Sequence, residues 1–94
     1  MKVSYVVLSY GRQDLLMKCL TTFRRFHQDD PLIVADNGGP DMDKTREVCK
    51  MFNAKLVINP LNDSLSKIMN LGCEAAETDY VCIVTNGEIG RAHV

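Results

Sequence analysis

Val3-Ser-Tyr-Val-Val-Leu-Ser-Tyr-Gly-Arg12 and, further on, Ile33-Val-Ala-Asp-Asn-Gly-Gly39 decide the fold. Each is an apolar, β-branched run that stops abruptly in a polar, turn-forming cluster. Buried strands of a parallel sheet read as continuous apolar runs rather than alternating ones. In open α/β sheets the polar clusters that follow such strands form the ligand crevice. The second run carries one carboxylate, Asp36, to its carboxyl end.

Between the two runs the period changes. Leu16, Cys19, Leu20 and Phe23 fall at i, i+3, i+4 and i+7, which is one face of a helix. Lys18, Arg24 and Arg25 are assigned to its wet side. Asp29-Asp30-Pro31 ends the pattern. After the second strand, Asn37-Gly-Gly-Pro40 is a turn cluster, with Asp41 or Asp43 as the cap of the next helix. Thr45, Val48, Cys49 and Phe52 repeat the helical face, and Asn53 is its stop. Lys55 to Ile58 is a third strand, ended by Asn59-Pro60. A third helix carries Leu65, Met69, Gly72, Cys73 and Ala76, and Thr78-Asp79 ends it. Tyr80 to Val84 is the fourth strand.

Strands that alternate with helices imply right-handed crossovers and a parallel sheet. The fold class read here is α/β, a three-layer sandwich with strand order 3-2-1-4. Helices 1 and 2 cover one face and helix 3 the other. The 94 residues make one domain, 1–94, with no linker, repeat or low-complexity tract. The switch point lies between the ends of strands 1 and 4, at Ser9-Tyr10 and Thr85-Asn86.

Composition bounds the function. The net charge is −1 with acids and bases mixed along the chain, so no nucleic-acid partner is expected. No apolar run approaches 18 residues and no charged-then-apolar leader precedes the first strand, so neither a membrane span nor secretion is expected. The four cysteines, Cys19, Cys49, Cys73 and Cys82, lie far apart among apolar neighbours. They read as buried, reduced thiols of a cytoplasmic protein. They show no metal-ligand spacing, and His27 and His93 add no local ligand pattern. Neither GxxxxGK[ST] nor GxGxxG follows the first strand, which argues against a P-loop enzyme and a dinucleotide oxidoreductase.

Two residues invite a functional reading. Asp36 beside Asn37-Gly-Gly is either an Asx turn that closes the strand or a carboxylate for a nucleobase or ribose. Asn70, inside a helix where its propensity is poor, either faces solvent idly or orients a loop or ligand across the sheet top. Asn62 is a natural cap for the third helix. Gly72 permits close packing of that helix on the sheet.

In order and spacing, these phrases resemble the nucleotide-binding half of family-2, inverting, nucleotide-sugar glycosyltransferases. Such chains open with a strand ending Thr/Ser-Tyr-Asn-Arg, matched by Ser9-Tyr10-Gly11-Arg12. A Cys-Leu-x-Ser/Thr step matches Cys19-Leu20-Thr21-Thr22. A second strand ending Val-Asp-Asn-Gly-Ser matches Ala35-Asp36-Asn37-Gly38-Gly39. The Asn-x-Gly, five residues, Asn-x-Gly spacing is reproduced by Asn62-Asp63-Ser64 and Asn70-Leu71-Gly72, with Ser for the first Gly. Thr78-Asp79-Tyr80-Val81 matches the step into the fourth strand. The similarity runs from Val3 to about Glu88.

The resemblance implies a nucleotide diphosphate sugar as ligand. Ser9, Tyr10 and Arg12 would flank the nucleotide. Asp36 would bind base or ribose, and Asn62 and Asn70 would organise the pocket floor. A Mn²⁺ or Mg²⁺ ion would sit at the Asp-x-Asp element, where this chain has Asn86 and Glu88. One carboxylate and one carboxamide oxygen make a weak set for a hard cation. The family's catalytic base and acceptor half follow that element, whereas only Ile89 to Val94 follows here. The chain is therefore expected to hold the donor and to be incomplete for sugar transfer alone. A non-catalytic nucleotide-binding module and the structural remnant of a truncated enzyme are the alternatives. The fourth strand, apolar on both faces and without a Pro or Lys guard, is expected to be an edge through which a homodimer forms.

Overall fold

A computed structural model describes residues 3–10, 13–39, 41–59, 65–78 and 80–85. Its elements alternate strictly: β1 (Val3–Ser9), α1 (Gln13–Phe26), β2 (Leu32–Asp36), α2 (Met42–Met51), β3 (Lys55–Ile58), α3 (Leu65–Ala75) and β4 (Tyr80–Thr85). The four strands form one sheet in the order β3-β2-β1-β4. Every pairing is parallel. Fold class and strand order are those read from the sequence.

The two faces of the sheet are sorted by the alternation of side chains along each strand. Val7, Leu32 and Val34 face one way and join Leu16, Cys19, Leu20 and Phe23 of α1 with Val48 and Cys49 of α2 in one buried cluster. Val6, Leu8, Ile33 and Ala35 face the other way and meet Ile68 of α3. The α1 stripe is the one its periodicity predicts, residue for residue. Each such Leu or Phe removed from water contributes about 1.5–3 kcal/mol. In α3 the buried anchor is Ile68, which the stripe read from the sequence passes over.

Gly72 sets how closely α3 approaches. A Cβ at this position would lie 2.6 Å from Val6 Cγ1 and 3.3 Å from Ala35 Cβ. The helix therefore rests directly on the two central strands. At the amino end of β1, Ser4 is fully buried, and its Oγ lies 2.7 Å from Thr78 Oγ1. That pair satisfies a polar group inside the α3 face and fixes where the chain turns into β4.

Three expectations from the sequence need correction. Arg24 is not an idle wet-side residue. Its Nε donates to Phe52 O at 2.9 Å, its Nη1 to His27, Gln28 and Asp30 carbonyls at 3.0, 3.2 and 2.8 Å, and its Nη2 to Asn53 O at 3.1 Å. These carbonyls lie where α1 and α2 have ended and the helical ladder no longer supplies donors. Asn53 closes α2 in the left-handed conformation, with φ 55°, as a helix stop should. Asp41 holds the N-cap position of α2 but does not cap it with its side chain. Its backbone is left-handed and its side chain makes no cap hydrogen bond.

The third correction concerns the cysteines. Cys19 and Cys49 are buried, Cys73 is half-buried and Cys82 is exposed, and all four are free thiols. Cys82 pairs in register with Tyr5, so it lies on the α1 and α2 side of the sheet. Because β4 is the outermost described strand on its side, that flank is left uncovered. Apolar neighbours in sequence cannot distinguish an outer strand from a central one.

Gly72→Ala is expected to destabilise the protein. Overpacking against Val6 and Ala35 costs roughly 1–3 kcal/mol, which outweighs the gain of about 1 kcal/mol in helix propensity. Urea denaturation of both proteins checks this. An unchanged or raised midpoint would contradict the close α3 packing.

Candidate functional site

The parallel register places the carboxyl ends of the strands side by side. Ser9 pairs with Asp36, Asp36 with Ile58, and Leu8 with Thr85. Ser9 and Asp36 are thus register neighbours on the α1 and α2 side of the sheet. Ser9 is buried, and Tyr10, the first residue beyond β1, is 52% exposed. Ser9, Tyr10 and Asp36 therefore gather at one edge, at the end of the sheet where open α/β folds bind ligands.

Asp36 builds the turn that follows it. Its Oδ1 accepts the backbone N–H groups of Gly38 and Gly39, both at 2.9 Å. Gly38 has φ 80°, which a side chain would resist. This is the Asx geometry that the sequence allowed for. The residue is fully buried, and its other oxygen, Oδ2, is a buried polar atom without a hydrogen-bond partner. Buried carboxylate oxygens are nearly always satisfied, so an orphan of this kind needs an explanation.

The turn is tied on three sides. Asn37 N donates to Ser9 O at 3.0 Å, and Asn59 N donates to Asp36 O at 2.9 Å. Asn59 Nδ2 donates to Asn37 Oδ1 at 3.1 Å, and Asn59 is itself buried. On the helix side, Gln13 Nε2 reaches Asp41 O at 3.2 Å and Thr45 Oγ1 at 3.1 Å. The Asn37–Asn59 pair and Gln13 were not singled out in the sequence. The available signal was an Asn directly after each of two strands that prove adjacent.

Of the remaining candidates, Asn70 is the one among the described residues. Asn70 is exposed at the middle of α3. Arg12, Asn62, Asn86 and Glu88 lie outside the described residues. Among the described residues no group of three or more His, Cys, Asp or Glu could hold a metal ion, and no helix is long and apolar enough to cross a membrane. An open cleft of about 340 Å³, lined by Ser4, Ile33, Lys55 and Thr78 among others, lies at the amino ends of the strands. It is at the opposite end of the sheet from Asp36.

Cys49 lies beneath the turn, in the α1 and α2 cluster. Burial, with the Asp36 carboxylate as the second cause, pushes its thiol up from an ordinary value near 9 to about 11. The unfolded chain ionises this thiol near 9, while the fold holds the proton. Between those values the native state binds more protons, so stability is full below pH 9 and is lost as pH rises towards 11. A shift of this size corresponds to roughly 2 kcal/mol. Over pH 9 to 11, the wild type should therefore lose about that much more stability to urea than Cys49→Ala. Parallel pH profiles of the two proteins would contradict this.

The model of the family described as Glycosyl transferase family 2 matches residues 4–86. Comparison with curated proteins and with solved structures gives no significant match.

Proposed function

The chain belongs to glycosyl transferase family 2; from that premise we propose that its carboxyl edge holds the nucleotide of a nucleotide diphosphate sugar, the donor in glycosyl transfer. The observation that carries this reading is the orphan Oδ2 of buried Asp36 at the carboxyl end of β2, beside the end of β1. A nucleoside supplies what that oxygen lacks, a base N–H or a ribose O–H. Ser9 stands beside it in register and Tyr10 stands exposed at the end of β1. Arg12, Asn62 and Asn70 belong to the same proposal through the family phrases they occupy. Asn86 and Glu88 are the proposed holders of a divalent ion, which would neutralise the leaving diphosphate. With a single carboxylate they hold it weakly. The free thiols support a cytoplasmic location.

Calorimetric titration with uridine and guanosine diphosphates, with and without Mn²⁺, tests the reading. Binding is expected, tightened modestly by the metal. Asp36→Asn keeps an oxygen for Gly38 and Gly39 and puts a carboxamide NH₂, which can only donate, where the orphan oxygen stands. It should lower nucleotide affinity about tenfold or more, the effect of one charged hydrogen bond, with the fold intact by circular dichroism. No binding by the wild type would refute the proposal.

We also propose that the chain pairs with a second copy through β4. Tyr80 is 53% exposed and Ile83 37%, on opposite sides of the strand, and Cys82 is exposed as well. No charged residue occurs between Tyr80 and Thr85. Exposure on both sides calls for a strand that continues the sheet rather than a helix laid on one face. Two-fold antiparallel pairing would set Tyr80 against Val84, Val81 against Ile83 and Cys82 against its own copy, each on matching sides of the sheet. Light scattering at micromolar concentration should give a dimer mass, and Cys82→Lys should give a monomer. A monomeric wild type would rule out this assembly.

A further inference from the structure

We propose that Cys82 is the site of a disulfide between two copies of this chain, formed when a small disulfide oxidant such as oxidised glutathione takes up its two electrons. This rests on the pairing through β4 proposed above. What singles out this thiol is the direction in which the backbone of β4 points.

That direction is fixed from β2 outward. Tyr5 N donates to Pro31 O at 2.9 Å, and Asn37 N donates to Ser9 O at 3.0 Å. The backbone groups of Tyr5, Val7 and Ser9 therefore face β2, and those of Ser4, Val6 and Leu8 face β4. In a parallel ladder, a residue that faces its neighbour bonds to the two residues flanking its register partner, so the partner itself faces away. Ser4 is in register with Val81 and Val6 with Ile83. Val81 and Ile83 thus turn their N–H and C=O to the outer side of β4, where no described strand lies. Cys82 turns its own towards β1.

An antiparallel partner bonds only to the outward groups. Val81 and Ile83 then exchange hydrogen bonds with Ile83 and Val81 of the second copy. Cys82, between them, meets its own copy as a non-hydrogen-bonded pair, the close kind, with Cα atoms about 4.5 Å apart. A disulfide needs Cα atoms about 4.4–6.8 Å apart. A two-fold axis normal to the sheet leaves both thiols on the same side, the flank where Cys82 is exposed. A register centred one residue on, at Ile83, sets Cys82 against Val84 of the second copy. The two thiols are then diagonal neighbours, with about 7–8 Å between them, beyond the reach of a disulfide.

The exchange balances in two steps. One Cys82 thiolate attacks glutathione disulfide, breaks its S–S bond and releases one glutathione. The Cys82 thiolate of the second copy attacks the Cys82 sulfur of that mixed disulfide, and the second glutathione leaves. One S–S bond is made for one broken, and two electrons and two protons pass from the protein to glutathione. In a reducing compartment such a bond is transient and senses oxidation. It turns a reversible pair into one that survives dilution.

The test combines light scattering in dithiothreitol with non-reducing electrophoresis after treatment with oxidised glutathione, at micromolar protein. The wild type should have a dimer mass when reduced and give a covalent dimer band when oxidised, which dithiothreitol reverses. Cys82→Ser should keep the dimer mass and give no band, whereas Cys73→Ser should behave as the wild type. Tyr80→Cys in the Cys82→Ser background puts an exposed thiol on the same side of the same strand, opposite Val84 of the second copy rather than its own copy. With its dimer mass checked, it should crosslink about tenfold more slowly or worse, since pairing no longer holds the thiols together. A reduced dimer without a covalent band, or equal rates for the two thiols, overturns this inference and leaves the pairing through β4 standing. A monomeric mass in dithiothreitol sinks both.

Discussion

A parallel sheet hides its backbone and its apolar runs only when helices cover both faces, and the rest of this molecule follows from that requirement. The chain must alternate strand and helix, and each helix must return to the starting edge. All four strands then end on the same side. The polar residues that terminate them, Ser9, Asp36 and Asn59, are brought to one edge although 50 positions separate the first from the last. The gathering of these residues at one edge is thus a by-product of covering the sheet. The tight contact of Gly72 with Val6 and Ala35 is the other side of the same constraint. A four-stranded sheet has little area to offer α3, so the helix must come close.

The sequence was most legible where one rule acted alone. The α1 stripe of Leu16, Cys19, Leu20 and Phe23 packs on a central strand pair, and helical period suffices to find it. The four strands and their order followed from alternation and crossover hand. Legibility failed where tertiary position decided. Cys82 has the neighbours of a core residue and the exposure of an outer strand. Arg24 has the spacing of a surface residue, and the carbonyls it meets belong to a segment 28 residues away as well as to its own helix end. No local pattern encodes either fact.

Much the same division holds for the site. Asp36 and Ser9 could be found because they end apolar runs. The Asx turn on one oxygen of Asp36 was one of the two readings the sequence allowed, but that the other oxygen is buried and unpaired could not be read, because it depends on how the fold closes around it. The pairing of Asn37 with Asn59 needs β2 and β3 to lie side by side in a particular register. Both carboxamides stand in strings that otherwise read as simple stops. Family membership is read from the order of phrases along the chain, whereas these contacts are read only from the folded chain.

The Arg24 clamp has a consequence for what holds the amino end of the sheet in place. Its five acceptor bonds run to main-chain carbonyls of Phe52, Asn53 and the segment after α1. A main-chain carbonyl is present whatever side chain its residue carries, so the side chains along those segments can vary without removing an acceptor. Arg24 has no such latitude, because lysine would bring one nitrogen where a planar fork of three meets five carbonyl contacts. The join between the two helix ends therefore rests on a single side chain and on the path of the backbone around it.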